Sequence, residues 1–255
     1  MSGILRRMTD ISTRRSGEML RIDRTYGRCA TVAADGRIAS YHEIGDDGPT
    51  VILAHAPAGT RERWEPILRA LSNRYRVLTP RLLGYGRYEA PTADMRLHPW
   101  SDCSVLLALA DQAGVPVHLV GYSYGGSVAL ETARALGKRA RSLTLIEPIA
   151  FHLLHLEGQM RESREIPTYR RLTTPTRLLV GQHTPAPARA IVDELQRILP
   201  DAERRVVPRA GHMSPFTHPG ELALSIAEHI DCIENDCDPD CDDSAPQREH
   251  HRSIA

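Results

Sequence analysis

The stretch Val117–Glu131, VHLVGYSYGGSVALE, joins an apolar run to a helical pattern through a serine that is closely flanked by glycines. The run VHLVG is typical of a buried strand, and the residues after the serine have the period of a helix. Between them, residues 121–125 (GYSYG) fit the pattern G-x-S-x-G. In a strand–turn–helix context this pattern predicts a sharp turn that exposes the hydroxyl of Ser123 beside a helix N-terminus. Ser123 is therefore a candidate nucleophile, and the N–H of Tyr124 is a candidate oxyanion donor.

Short apolar runs alternate with longer helical patterns on both sides of this stretch. Two runs around Asp35-Gly36 predict a β-hairpin, because Asp-Gly favours a tight two-residue turn. Further buried strands are predicted from TVILAHA (ending at His55), YRVLTP, SLTLIEP, PTRLLVG and ERRVVP, and helices are predicted between them. Such alternation predicts an α/β fold with a mostly parallel, twisted sheet and helices on both faces.

The composition limits the classes of function. The chain has 255 residues, 41% of them hydrophobic, which suffices for one large domain. Its formal net charge is zero, with 32 basic and 32 acidic residues, whereas binding to nucleic acid or to a membrane surface would need a basic excess. No window approaches 18 consecutive apolar residues, and the N-terminus lacks the apolar segment of a secretory signal. We therefore expect a cytoplasmic protein without nucleic-acid or membrane partners.

The two ends of the chain differ from its body. Residues 1–27 form a basic extension that we expect to be flexible, and residues 28–231 form the predicted domain. Residues 232–255 are acidic and cysteine-containing, which predicts a disordered tail. A thiol–histidine metal site in that tail is the alternative, but its cysteines match no C-x-x-C spacing, so no metal site is predicted.

A serine nucleophile needs a base, and His212 in AGHMSPFTHP follows the last predicted strand. The landmarks LLGYGR, GYSYGG, SLTLIEP and AGHMSPFTHP together resemble the α/β-hydrolase fold family, and the resemblance runs from about Arg28 to Ile230. It is nearest to small-molecule serine hydrolases of bacteria. The resemblance implies Ser123 as nucleophile and His212 as base, with the acid between them in the chain.

The position of the acid departs from the family's usual pattern. The family usually places its acid a few residues after the strand RLLVG, where this chain has Thr184. Some branches take the acid from the end of the preceding strand, and there the chain has Glu147. Glu147 could instead be a structural strand-end residue, and Asp193 is a weaker candidate. With Glu147 as the acid, Thr184→Asp is expected to raise activity or to rescue Glu147→Gln.

The resemblance also implies an oxyanion donor after His55, where the chain reads His55-Ala56-Pro57-Ala58. In direct register Pro57 holds the donor position and has no N–H, so Ala56 and Ala58 are the candidates. The span of about 148–174 is short for a family cap, which predicts a minimal cap. Candidate residues of the substrate pocket are His55, Tyr122, Phe151, Leu154 and Met213.

These features predict a serine hydrolase that cleaves an ester or related acyl bond of a small molecule through an acyl-enzyme. Water would release the acyl group, and no metal or organic cofactor is required. One alternative is a catalytically impaired binding or scaffold protein on the same fold. Another is a cofactor-free perhydrolase or C–C hydrolase, because a fold does not determine its chemistry. Neither the substrate nor the oligomeric state can be inferred from the sequence.

Overall fold

The structure is a computed structural model that describes residues 27–45, 47–56, 61–82, 99–150 and 166–236. Eight strands form one sheet: β1 (Arg28–Ala34), β2 (Arg37–Ile44), β3 (Thr50–Ala54), β4 (Arg76–Pro80), β5 (Val117–Tyr122), β6 (Ala140–Ile146), β7 (Thr176–Gly181) and β8 (Ala202–Val207). The helices are α1 (Arg61–Ser72), α2 (Pro99–Ala113), α3 (Tyr124–Leu136), α4 (Ile166–Tyr169), α5 (Ala186–Ile198), α6 (Ser214–Thr217) and α7 (Pro219–Glu234), and a short 3₁₀ turn, Gly137–Arg139, follows α3.

The strands follow one another across the sheet in the order β1-β2-β4-β3-β5-β6-β7-β8. β2 pairs antiparallel with β1 and with β4, and all pairs from β4 to β8 are parallel. The predicted hairpin is present, with Asp35 and Gly36 both at positive φ (48° and 71°), as a tight hairpin turn requires. The predicted α/β class with a mostly parallel sheet is confirmed.

The core lies on both faces of the sheet, because successive side chains of a strand point to opposite sides. In β3, Ile52 belongs to the buried cluster on the face covered by α2, α3 and α5, whereas Val51 and Leu53 belong to the cluster on the face covered by α1 and α7. All five residues of β3 are buried. A strand that is covered on both faces reads as one continuous apolar run, which explains why TVILA shows no polar alternation.

The parallel strands place their carboxyl ends along one edge of the sheet. β3 ends just before His55, so the predicted strand end was one residue too late. β5 ends before Ser123 and β6 ends before Glu147. The loop that carries His212 follows β8. This edge therefore collects the residues that the sequence singled out.

Several predicted segments lie outside the described residues. They are most of the N-terminal extension, the middle of the cap span (151–165) and the tail from residue 237 onward. The predicted tail boundary at residue 232 is wrong for its first residues, because α7 continues through Cys232 to Glu234. Among the described residues, no helix has the length and apolar character that crossing a membrane requires.

Candidate active site

Ser123 lies at a strained turn between β5 and α3. Its backbone has φ 53° and ψ −118°, which non-glycine residues rarely adopt. The glycines of the motif are required by close backbone contacts: a Cβ at Gly125 would lie 2.2 Å from the Ala54 carbonyl oxygen, and one at Gly121 would lie 2.4 Å from the Gly125 carbonyl oxygen. The start of α3 can therefore approach the ends of β3 and β5 only without side chains at these positions.

His212 lies beside this serine. Its Nε2 is 3.4 Å from Ser123 Oγ, which is longer than an ordinary hydrogen bond of this type. Such contacts are often long in the absence of a ligand. The side chain of His212 is 33% exposed and Ser123 is 8% exposed, so the pair lies at the rim of the buried sheet edge.

Glu147 holds the other side of the His212 ring. Its Oε2 lies 2.6 Å from His212 Nδ1, within the distance expected of a triad carboxylate. Glu147 also has a positive φ (43°), and its N–H donates to the carbonyl oxygen of Leu179 on β7. The residue is fully buried.

The second oxygen of Glu147 is also satisfied. Oε1 accepts hydrogen bonds from the N–H of Gly181 at 2.9 Å and from the hydroxyl of Thr184. Burial acts to raise the pKa of Glu147, but the hydrogen bonds from His212, Thr184 and Gly181 outweigh burial and hold that pKa below its usual value. The carboxylate is therefore favoured in its charged form.

Tyr122 is buried against the loop that carries His212. It is 3% exposed, and its hydroxyl donates to the carbonyl oxygen of His212 at 2.8 Å. Its ring lies 5.3 Å from the His212 ring and 5.8 Å from the Trp64 ring. Burial, and then the charge of Glu147, raises the pKa of Tyr122 to about 12. Tyr122 thus supports the loop that carries His212, and its place in the substrate pocket stays a prediction.

The remaining predicted site residues are partly described. Tyr124 is the first residue of α3, and its phenol donates to Asp102 Oδ2 of α2 at 2.6 Å. His55 Nδ1 donates to the Ala56 carbonyl oxygen at 2.7 Å, and burial lowers the pKa of His55. Met213 is 47% exposed beside His212. Pro57, Ala58, Phe151 and Leu154 lie outside the described residues.

Comparisons with known proteins agree with this architecture. A family model described as "Alpha/beta hydrolase family" matches residues 51–162. The structure is similar to the crystal structure of a bacterial membrane phospholipase A, with a TM-score of 0.71 and 18% identity over 84% of this chain and 89% of that one. It is also similar to naproxen esterase from Bacillus subtilis, with a TM-score of 0.65 and 17% identity over 80% and 92%. The structure therefore has the α/β-hydrolase fold.

One curated relative of this chain is "Probable oxidoreductase EphD" of Mycobacterium tuberculosis, which is 29% identical over 147 residues, or 55% of this chain. The alignment covers 25% of that relative, so the chain spans about a quarter of the relative's length. The likeness therefore concerns one part of a longer protein.

Two contacts of the candidate site were not predicted from the sequence. The first is the hydroxyl of Thr184 on Glu147, since the sequence showed only that Thr184 lacks a carboxylate. The second is the buried Asp102, which anchors the side chain next to the nucleophile. No local signal marks Asp102, because it lies 22 residues from Tyr124 in the chain.

Proposed function

We propose that this protein is a serine hydrolase that cleaves an ester or related acyl bond of a small molecule. One observation carries the proposal: Ser123 Oγ, both ring nitrogens of His212 and the Glu147 carboxylate form one continuous chain of contacts, of 3.4 Å and 2.6 Å. Nucleophile, base and orienting acid in this order are what a weak hydroxyl nucleophile requires.

The proposed reaction has two steps. Ser123 Oγ attacks the acyl carbon and its proton passes to His212 Nε2, while Glu147 holds the opposite nitrogen as a donor and stabilises the imidazolium. The proton then moves to the leaving group, and an acyl-enzyme remains. Water, deprotonated by the same histidine, attacks the acyl carbon and releases the acid and the serine. All three groups come from the chain, so this mechanism requires no metal or organic cofactor.

The tetrahedral intermediates carry an oxyanion that needs N–H donors. The N–H of Tyr124 is the proposed first donor, because Tyr124 begins α3 directly after the nucleophile. The second is proposed to come from Ala56 or Ala58, because the carbonyl oxygens of Ala54 and His55 are packed against Gly125 at the elbow. The pocket roles of His55, Phe151, Leu154 and Met213 remain proposals on the same basis.

A fluorophosphonate probe tests the nucleophile, since it reacts only with an activated serine. Wild type should be labelled covalently, and Ser123→Ala should not. Ser127→Ala is the matched control, because Ser127 lies one turn further along α3 and donates to the Ile149 carbonyl oxygen. Ser127→Ala should still be labelled.

Two results would contradict the proposal. Equal labelling of wild type and Ser123→Ala would place the nucleophile elsewhere. A folded wild type that is never labelled would favour the alternative of a binding or scaffold protein. Hydrolysis of a panel of esters of increasing acyl length then identifies the acyl class. Protein already labelled by the probe is the inactive control.

A further inference from the structure

Thr184 occupies the position after β7 where the family usually has its acid, yet it contacts the acid that this chain uses. Its hydroxyl donates to Glu147 Oε1, while Oε2 of the same carboxylate faces His212 Nδ1 at 2.6 Å. Thr184 is 3% exposed and Glu147 is fully buried, so water does not compete freely for this contact. The hydroxyl therefore holds one oxygen while the other meets the base.

A tight turn places that hydroxyl. The N–H of Thr184 donates to the Gly181 carbonyl oxygen at 3.1 Å, and the N–H of Gly181 donates to Glu147 Oε1. A Cβ at Gly181 would lie 2.9 Å from the Thr184 hydroxyl oxygen and 2.4 Å from the Ala210 carbonyl oxygen. The absence of a side chain at Gly181 thus allows two donors from one turn to converge on one carboxylate oxygen.

We propose that Thr184 is a positioning residue that orients the Glu147 carboxylate toward His212 and keeps it charged in a buried position. The inference rests on the proposed function, because it assigns a role within the same triad. Hydrogen bonds to an ionised acceptor are the strong ones, and a buried carboxylate depends on them to remain ionised.

The other charged and titratable groups around Glu147 do not replace this contact. The phenol of Tyr122, from β5, has a pKa of about 12 and stays neutral. The guanidinium of Arg189, from α5, donates to the carbonyl oxygens of Thr184 and Gln182. His212 is the ionisable partner of the carboxylate.

Removing the hydroxyl has a directional consequence for protonation. The carboxylate relies on its donors more when His212 is neutral than when an imidazolium lies beside it. Loss of the Thr184 donor therefore destabilises the Glu147–His212 pair more when the pair lacks the extra proton than when it carries it. The pair then takes up this proton at higher pH. The acid limb of the pH–rate profile, where the rate falls at low pH, should therefore move to higher pH. A substitution that only disturbed the structure of the site would lower the rate by the same factor at every pH.

The test is the second-order rate of fluorophosphonate labelling as a function of pH. Thr184→Val should move the acid limb up by about one pH unit, and Thr184→Ser, which keeps the hydroxyl, should restore it. Thr176→Val is the matched control: Thr176 is a buried threonine of β7, the strand before Thr184, and its hydroxyl donates to the Thr174 carbonyl oxygen. Its acid limb should equal that of wild type.

A second arm uses the usual acid position directly. Thr184→Asp should lower the labelling rate at least tenfold, because two buried carboxylates would compete for one site and share a proton. The contact of Thr184 with Glu147 is the reason to predict a fall in rate where the sequence alone predicted a rise. In the Glu147→Gln background the same substitution should raise the rate, since it restores one carboxylate.

The outcomes separate the two proposals. A wild type that is not labelled overturns the proposed hydrolase. If wild type is labelled but Thr184→Val leaves the acid limb unchanged, only the role of Thr184 is overturned. The same holds if Thr184→Ser shifts the acid limb as far as Thr184→Val does. If Thr184→Val does not fold, Thr184→Ala makes the same comparison.

Discussion

At the scale of single residues, two strained positions hold the two ends of the proposed triad. Ser123 and Glu147 both have positive φ, and each directly follows the end of a parallel strand. Such conformations cost of order 1–3 kcal/mol each and persist only where the surroundings determine them. The surroundings here are backbone contacts: the N–H of Ser123 donates to the Ile146 carbonyl oxygen, and the N–H of Ile149 donates to the Ser123 carbonyl oxygen. The strained backbones of Ser123 and Glu147 are thus linked by hydrogen bonds between the ends of β5 and β6.

Glu147→Gln should lower the labelling and turnover rates at least about 10²-fold, with an upper scale of about 10⁴. The amide cannot stabilise the imidazolium, and it no longer selects the tautomer in which Nδ1 carries the proton. Steady-state turnover on the best ester of the panel measures the effect, with thermal unfolding as the check on folding.

Glu131→Gln is the control for that substitution. Glu131 is a buried carboxylate of α3 whose partners are Tyr169 and Arg134. Its neutralisation should cost stability but leave the rate within a few-fold of wild type. If Glu131→Gln and Glu147→Gln lowered the rate equally, the loss would reflect buried charge in general, and the triad role of Glu147 would be wrong.

At the scale of elements, α7 packs on the sheet through a group of buried polar contacts that lies apart from the candidate site. His229 of α7 contacts the hydroxyl of Thr144 on β6 at 3.0 Å. His118 of β5 contacts Ser142 at 2.8 Å and Glu234 of α7 at 3.3 Å. Both histidines are buried, and burial is the largest cause that lowers the pKa of each. This interface therefore depends on both imidazoles being neutral.

The pH dependence of stability follows from His229. Burial, then Arg177 and His118, lower its pKa to about 3, against 6.5 for the ordinary side chain. Since the unfolded chain binds the proton first, stability is full above about pH 6.5 and is lost as the pH falls toward 3. From pH 7 to pH 5 this group alone should remove about 2 kcal/mol, which a series of urea titrations measures.

His229→Gln should flatten that slope, because glutamine keeps polar atoms near Thr144 and does not titrate. His183→Gln, at an exposed histidine, should leave the slope as in wild type. An unchanged slope in His229→Gln would show that other groups dominate the acid sensitivity.

At the scale of the whole molecule, sheet order assembles the candidate site. β5 lies between β3 and β6, so Ser123 has the loop after β3 on one side and Glu147 on the other. The loop after β8 must return past β7 to bring His212 to Ser123, 89 residues away in the chain. The phenol of Tyr122, from the central strand, holds that loop through the carbonyl oxygen of His212.

The end of the domain can be located by truncation. Removing residues 237–255 should leave the melting temperature nearly unchanged, since that segment is acidic and poor in apolar residues. Ending the chain at Asp231 should lower it by about 2–4 °C, because this removes the last turn of α7 and the contacts of Glu234 with Arg141 and His118. A fall above about 5 °C in the shorter truncation would show that the tail packs on the domain.

The sequence by itself determined the fold class, the hairpin and the turn at Ser123. Those features depend on neighbouring residues: apolar runs for doubly covered strands, Asp35-Gly36 for a tight turn, and glycines on both sides of the serine where backbones approach. The same local information could not locate the acid, since Glu147 directly follows one strand, while the usual acid position after the next strand holds Thr184, which has no carboxylate.

Only the tertiary structure decided how those two residues act together. Glu147 contacts His212, 65 residues away in the chain, and Thr184, 37 residues away, and no local pattern predicts contacts at such sequence separations. It likewise showed that Tyr122 supports the loop that carries His212, because β5 presents that side chain to the face of α1 and α7. The physical reason is that strand register and loop return place side chains to within an ångström, whereas hydrophobic patterning specifies only the face on which each lies.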